Sequence, residues 1–125
     1  MKFTAQDVVD IALGLMNDQK ANAGGYSEFY LPILNTVLSE CKDAENALRY
    51  RDGLEELQEA PYLESLGDII PYRAELVRNV LPYGLGMFLF LGDDENVKAT
   101  FFSSKYDEGK SKYSPAVYVE TGDVY

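Results

Sequence analysis

Histidine and tryptophan are absent from this 125-residue chain, and cysteine occurs once. Without histidine there is no Ser-His-Asp or Cys-His nucleophile system, no two-histidine zinc motif, and not the commonest general base near neutral pH. A lone cysteine, Cys41, excludes an intramolecular disulfide and cannot build a zinc knuckle. Positive charge is also scarce: 11 Lys and Arg stand against 21 Asp and Glu, a formal net charge of -10. Such a surface repels duplex phosphates, whose binding requires clustered Lys and Arg, and it disfavours anionic membranes. Long apolar runs are missing too. The most apolar stretch, Leu85 to Leu91 with Gly86 inside it, is too short to cross a bilayer. The amphipathic start of the chain lacks the continuous apolar run of a signal peptide, so a soluble, intracellular protein is expected.

What is present suits one small domain. Hydrophobic residues make up 46% of the chain, enough for a single core without staples. The spacing predicts a mainly α fold, a small bundle of about four helices, spanning residues 1–112 and followed by an extended tail from 113 to 125. A first helix is expected over about Ala5 to Asp18, with Thr4 and Asp7 as a capping box and Val8, Ile11, Ala12, Leu15 and Met16 on one face. Gly24-Gly25 closes a polar linker. A second helix covers about Ser27 to Tyr50, with Pro32 requiring either a later start or a kink. Cys41 lies on its apolar stripe and reads as a small core residue. Pro71 opens a third helix, about Tyr72 to Leu91, which is apolar all round toward its end and therefore central. Pro82 should bend or break it, and Gly84 and Gly86 should admit a neighbouring backbone. Gly92 ends it, and Asp93-Asp94-Glu95 places negative charge at the start of a fourth helix, about Glu95 to Lys110.

Between the second and third helices the period is lost. From Gly53 to Pro71, Leu54, Leu57, Tyr62, Leu63, Leu66, Ile69 and Ile70 are scattered among acids, Pro61 and Gly67. An extended segment or short hairpin arm is expected, turning at Ser65-Leu66-Gly67-Asp68. Between Asp52 and Tyr72 the acids Asp52, Glu55, Glu56, Glu59, Glu64 and Asp68 occur without a single Lys or Arg. Such a run reads as a solvated face or as a surface for a basic partner. The tail is rich in β-branched and aromatic residues but too short for a sheet of its own.

No carboxylate grouping has a catalytic or metal-binding spacing. Asp93-Asp94-Glu95 lacks the alternation and central glycine of a calcium loop, and Asp7 and Asp10 sit on a polar helix face. No catalytic residue, cofactor site or metal site is therefore assigned. Ten tyrosines remain to be placed. Tyr26, Tyr30, Tyr72, Tyr83 and Tyr106 fall near apolar faces, whereas Tyr113, Tyr118 and Tyr125 lie in or at the tail and suit a protein–protein contact.

Five short pieces occur in a suggestive order: Ser65-Leu66-Gly67-Asp68-Ile69-Ile70-Pro71-Tyr72, Val80-Leu81-Pro82-Tyr83-Gly84-Leu85, Gly92-Asp93-Asp94-Glu95, Phe101-Phe102 to Tyr106, and Gly122-Asp123-Val124-Tyr125. From about Leu63 onward the chain resembles the small neck proteins of tailed bacteriophages and prophages, the head–tail connectors or adaptors. The resemblance implies a structural, non-enzymatic protein. It would be made in the host cytoplasm and placed at the virion neck as a ring, a dodecamer on the virion. Its neighbours would be the portal and a tail or tail-completion protein, and DNA would pass without specific binding. It also implies that arm and tail order on assembly. The expected interface residues are Leu54, Leu57, Tyr62, Leu63, Leu66, Tyr113, Tyr118, Val119 and Tyr125, with Glu55, Glu56, Glu59 and Glu64 facing the lumen or a partner. The acidity also permits a second class, a DNA-mimicking inhibitor that occupies a basic groove. A third, a carboxylate-dependent metal hydrolase, finds no supporting spacing.

Overall fold

The structure, a computed structural model, describes residues 2–17 and 27–113. These residues form a mainly α bundle with one two-stranded ribbon. β1 (Phe3–Thr4) leads into α1 (Ala5–Met16). The capping box is present: Asp7 N–H donates to the Thr4 hydroxyl at 3.2 Å, and Thr4 N–H donates to the Asp7 carboxylate at 2.9 Å. A 3₁₀ turn at Ser27–Phe29 precedes α2 (Tyr30–Glu40) and α3 (Lys42–Arg51). After the arm come β2 (Ile69–Ile70), α4 (Ala74–Asn79), α5 (Leu81–Gly92) and α6 (Asn96–Tyr113). The predicted end of the first helix at Asp18, the linker beyond Asn17, and Tyr26 lie outside the described residues.

Two predicted helices are each divided. The second breaks at Cys41, whose backbone leaves helical geometry at φ -97° and ψ 4°. The break lets α2 pack on α5 while α3 packs on α6. Pro32 falls in the first turn of α2, where its missing donor costs nothing. The third breaks at Val80 (φ -124°, ψ -52°). Pro82 has no N–H for the carbonyl one turn back, so α4 stops at Asn79 and α5 restarts with the proline in its first turn. The fourth helix runs on to Tyr113, past the predicted end at Lys110.

α5 is the central helix, packed against α1, α2, α4 and α6. Its glycines make the approach to α6 possible. A Cβ on Gly86 would stand 2.5 Å from the Phe102 ring, and one on Gly84 would stand 2.7 Å from Tyr106. Phe102 is in turn edge-on to Tyr83 and to Phe90, with centroids 5.3 and 5.1 Å apart. This seam is built from apolar shape alone. The ribbon closes another part of the fold: β1 pairs antiparallel with β2, Phe3 opposite Ile70 and Thr4 opposite Ile69. Ala5 N–H and Gln6 N–H extend the contact to the carbonyls of Asp68 and Leu66, at 3.0 and 2.9 Å.

Candidate functional site

The arm is extended rather than a hairpin, and it is strapped to its own chain. Two asparagines hold it. Asn35 on α2 donates to the Leu63 carbonyl at 3.1 Å and accepts from Leu63 N–H at 2.7 Å. Asn46 on α3 does the same with Leu57, at 3.0 and 2.7 Å. A primary amide carries a donor and an acceptor side by side, so each mimics one rung of a β-ladder. Leu57 is tied to Asn46 and Leu63 to Asn35, so the arm runs back along α3 and then α2 in the opposite chain sense.

A third clamp closes the arm's base. Arg49 donates to the Glu55 carbonyl at 3.1 Å and to the Pro71 carbonyl at 2.6 Å, gathering both ends of the arm. Its guanidinium is held by Glu45, 2.6 Å away and fully buried. The other Glu45 oxygen accepts from Arg73 N–H at 2.8 Å, just ahead of α4. Burial pushes the Glu45 carboxyl up, against the opposing pull of Arg73 N–H and Arg49. Outside this core pair, Asp52 bridges Arg51 and Arg73, and Arg51 reaches Glu75.

The six acids of the arm thus separate into two kinds. Asp52 is tied to arginines, chiefly Arg51, which hold its carboxyl below the usual range. Asp68 caps the predicted turn: it accepts from Glu64 N–H and Ser65 N–H, and these bonds likewise hold it low. Glu55, Glu56, Glu59 and Glu64 are exposed, and their carboxylates have no hydrogen bond or ion pair among the described residues.

The expected interface residues also divide. Tyr62 is 76% exposed, and Leu54, eight residues earlier, is exposed as well. Leu57, Leu66 and Tyr113 are half-buried against the core. Leu63 corrects the expectation: at 3% exposure it is a core residue, drawn inward by the Asn35 clamp. An arm that orders only on assembly is likewise replaced by one held within the chain. Tyr118, Val119 and Tyr125 lie outside the described residues.

Open grooves flank the exposed ridge of α2. One, of about 730 Å³, lies between the ridge and the arm and is lined by Leu31, Pro32, Asn35, Glu40, Tyr62 and Glu64 among others. Another, of about 330 Å³, is mainly apolar and lies between Phe29, Ile33, Phe88 and Gly92. A separate hollow of about 480 Å³ lies along α6 and is bordered by Lys105, Lys112 and Tyr113. Exposed Leu91, Val97 and Phe101 mark the α5–α6 turn.

The buried polar atoms have structural employment. The Tyr106 hydroxyl donates to Glu40 at 2.7 Å and accepts from the Cys41 thiol at 3.7 Å. The Tyr72 hydroxyl donates to the Leu38 carbonyl. Burial pushes the Cys41 thiol up to about 11, so it is protonated at neutral pH and a poor nucleophile. Among the described residues, no group of three or more His, Cys, Asp and Glu side chains is placed to share a metal ion. No helix there is long and apolar enough to cross a membrane.

Sequence reasoning did not single out Asn35, Asn46, Glu45 or Arg49. The spacing of Glu45 and Arg49, one helical turn apart, was the one available signal. Compared with family models, curated proteins and solved structures, the chain matches none of them.

Proposed function

We propose that this chain is a structural assembly protein of a tailed phage or prophage, a head–tail connector or adaptor. Copies form a ring between portal and tail, through which DNA passes without specific binding. On this reading the chain is not an enzyme, and it works at the virion neck after synthesis in the host cytoplasm. One observation carries the proposal: the chain exposes unlike contact surfaces on different elements. The arm presents Tyr62 with free glutamates, while the α5–α6 turn presents Leu91, Val97 and Phe101. Unlike surfaces favour a head-to-tail contact over a two-fold one, and such a contact closes into a ring when its rotation allows. Three of the five motifs behind the resemblance to neck proteins fall on the arm's turn, the break before α5 and the α5–α6 turn. The overall charge of -10 keeps passing DNA from adhering.

A second reading, an acidic DNA mimic, is favoured by the four unpaired glutamates on a firmly held arm. Sedimentation velocity and negative-stain microscopy over a concentration series, alone and with a portal, separate the two. A connector gives ring particles, and truncation after Lys112 abolishes them without unfolding the bundle. A chain that stays monomeric alone and on the portal, yet binds a basic protein with strong salt dependence, refutes the connector.

A further inference from the structure

Among the described residues, the α6 hollow brings two lysines without an ion-pair partner to one rim. α6 carries Lys98, Lys105, Lys110 and Lys112. Lys110 is engaged with Asp107 at 3.7 Å and with the Tyr106 ring. Lys105 and Lys112 lie only over the rings of Phe101 and Tyr113, with no carboxylate among the described residues within ion-pair reach. Both border the hollow, whose lining also includes Asn79 and Gly109. Tyr83 and Tyr113 supply aromatic walls, and Glu108 is the single acid at the rim.

The arm carries the complementary shape and charge. Between the Asn46 clamp at Leu57 and the Asn35 clamp at Leu63, the chain is held at both ends and stiffened by Pro61. The held stretch displays Glu59 and a Tyr62 that is 76% exposed, with Glu64 just beyond. A pre-ordered aromatic knob loses little freedom on docking, and tyrosine is a favoured interface anchor.

We infer that the acidic knob of one copy, Glu59, Tyr62 and Glu64, docks in the Lys105–Lys112 hollow on α6 of the next copy. Tyr62 enters between Tyr83 and Tyr113, and the two glutamates meet the two lysines. The contact joins unlike surfaces, so it propagates from copy to copy. This inference rests on the assembly role proposed above and names its interface.

The test is a charge swap on the full chain, read by sedimentation velocity and by microscopy. Lys105→Glu with Lys112→Glu, and separately Glu59→Lys with Glu64→Lys, each weaken self-association by roughly tenfold or more. Mixing the two double variants, so that each supplies the surface the other's partner has lost, restores assembly. All four side chains are exposed, so thermal melts of the variants stay at the wild-type value. A zero-length carbodiimide crosslink joins Glu59 or Glu64 to Lys105 or Lys112 between isotopically distinct copies. If the wild type assembles and the swapped variants assemble equally well, the interface is wrong and the assembly role stands. If removal of residues 114–125 abolishes assembly while the swaps have no effect, the hollow takes the tail instead, and the inference falls. If the wild type never assembles, alone or on a portal, both fall.

Discussion

The α5–α6 seam and the arm are held by opposite physics. At the seam, Gly84 and Gly86 bring two helices together over Tyr106 and Phe102, and the attraction is apolar burial and close packing. The arm lies against α2 and α3 through hydrogen bonds from Asn35, Asn46 and Arg49, most of them to its backbone carbonyls. The seam tolerates no added volume. The arm tolerates changes at its exposed side chains so long as its three clamps and the buried Leu63 remain. The exposed side chains of the arm can therefore vary in charge and shape while the bundle beneath them stays fixed.

The largest effect is expected where a buried charge joins the two regimes. Glu45→Ala leaves Arg49 without its anchor and Arg73 N–H without an acceptor, and should cost about 3–5 kcal/mol in urea unfolding. Since burial raises the Glu45 carboxyl, its contribution is fully present below the ordinary carboxylate range and is lost as pH rises through the raised value. Glu45→Gln should remove that dependence from a stability–pH profile. Next comes Gly86→Ala. Helix propensity alone would stabilise it by about 1 kcal/mol, but the Phe102 ring must move, so a net loss of about 1–3 kcal/mol is expected. Gly14→Ala in α1, with open space around it, should instead gain roughly 0.5–1 kcal/mol, and equal outcomes at the two glycines would break the comparison.

Asn35→Ala or Asn46→Ala strips two hydrogen bonds from a part-buried backbone segment, at about 1–2 kcal/mol each. Amide exchange should rise at Leu57 or Leu63 while α5 stays protected. The smallest effect is local. Asp68 and Asp52 are held low by hydrogen bonds, so their contribution is present above the ordinary carboxylate range and is lost as pH falls through the lowered values. Exchange at residues 64–68 should therefore quicken in acid before any change in the seam.

The seam was legible in the sequence and the clamps were not. Apolar residues at helical spacing identify the faces of α2 and α5, but on α1 they include the exposed Leu15 and miss the buried Val9. Gly84 and Gly86 on an all-apolar helix announce a close approach, made by the rings of Tyr106 and Phe102 rather than by a backbone. The Thr4–Asp7 cap and the Pro82 break follow from local chemistry and were equally readable. Asn35 and Leu63 are 28 residues apart, and one hydrogen-bonded pair leaves no period for a pattern search to find. Nothing in the composition separates the buried Glu45 from a solvated helix acid, because composition records charge without its surroundings. The resemblance places Leu63 at an interface, and the Asn35 clamp, invisible in the sequence pattern, explains why it is core instead. The break at Cys41 had no breaker residue to reveal it. It follows from α3 packing on α6 rather than continuing α2.

The small ribbon has a consequence in time. Phe3 finds its partner only at Ile70. At synthesis rates of about 5–20 residues per second, the first strand waits roughly 3–13 s for the second to be made. The start of α1 meanwhile has its own cap but lacks the carbonyls of Leu66 and Asp68 that later receive its N–H groups. The fold is thus latched late during translation, by the same stretch of chain that carries the arm.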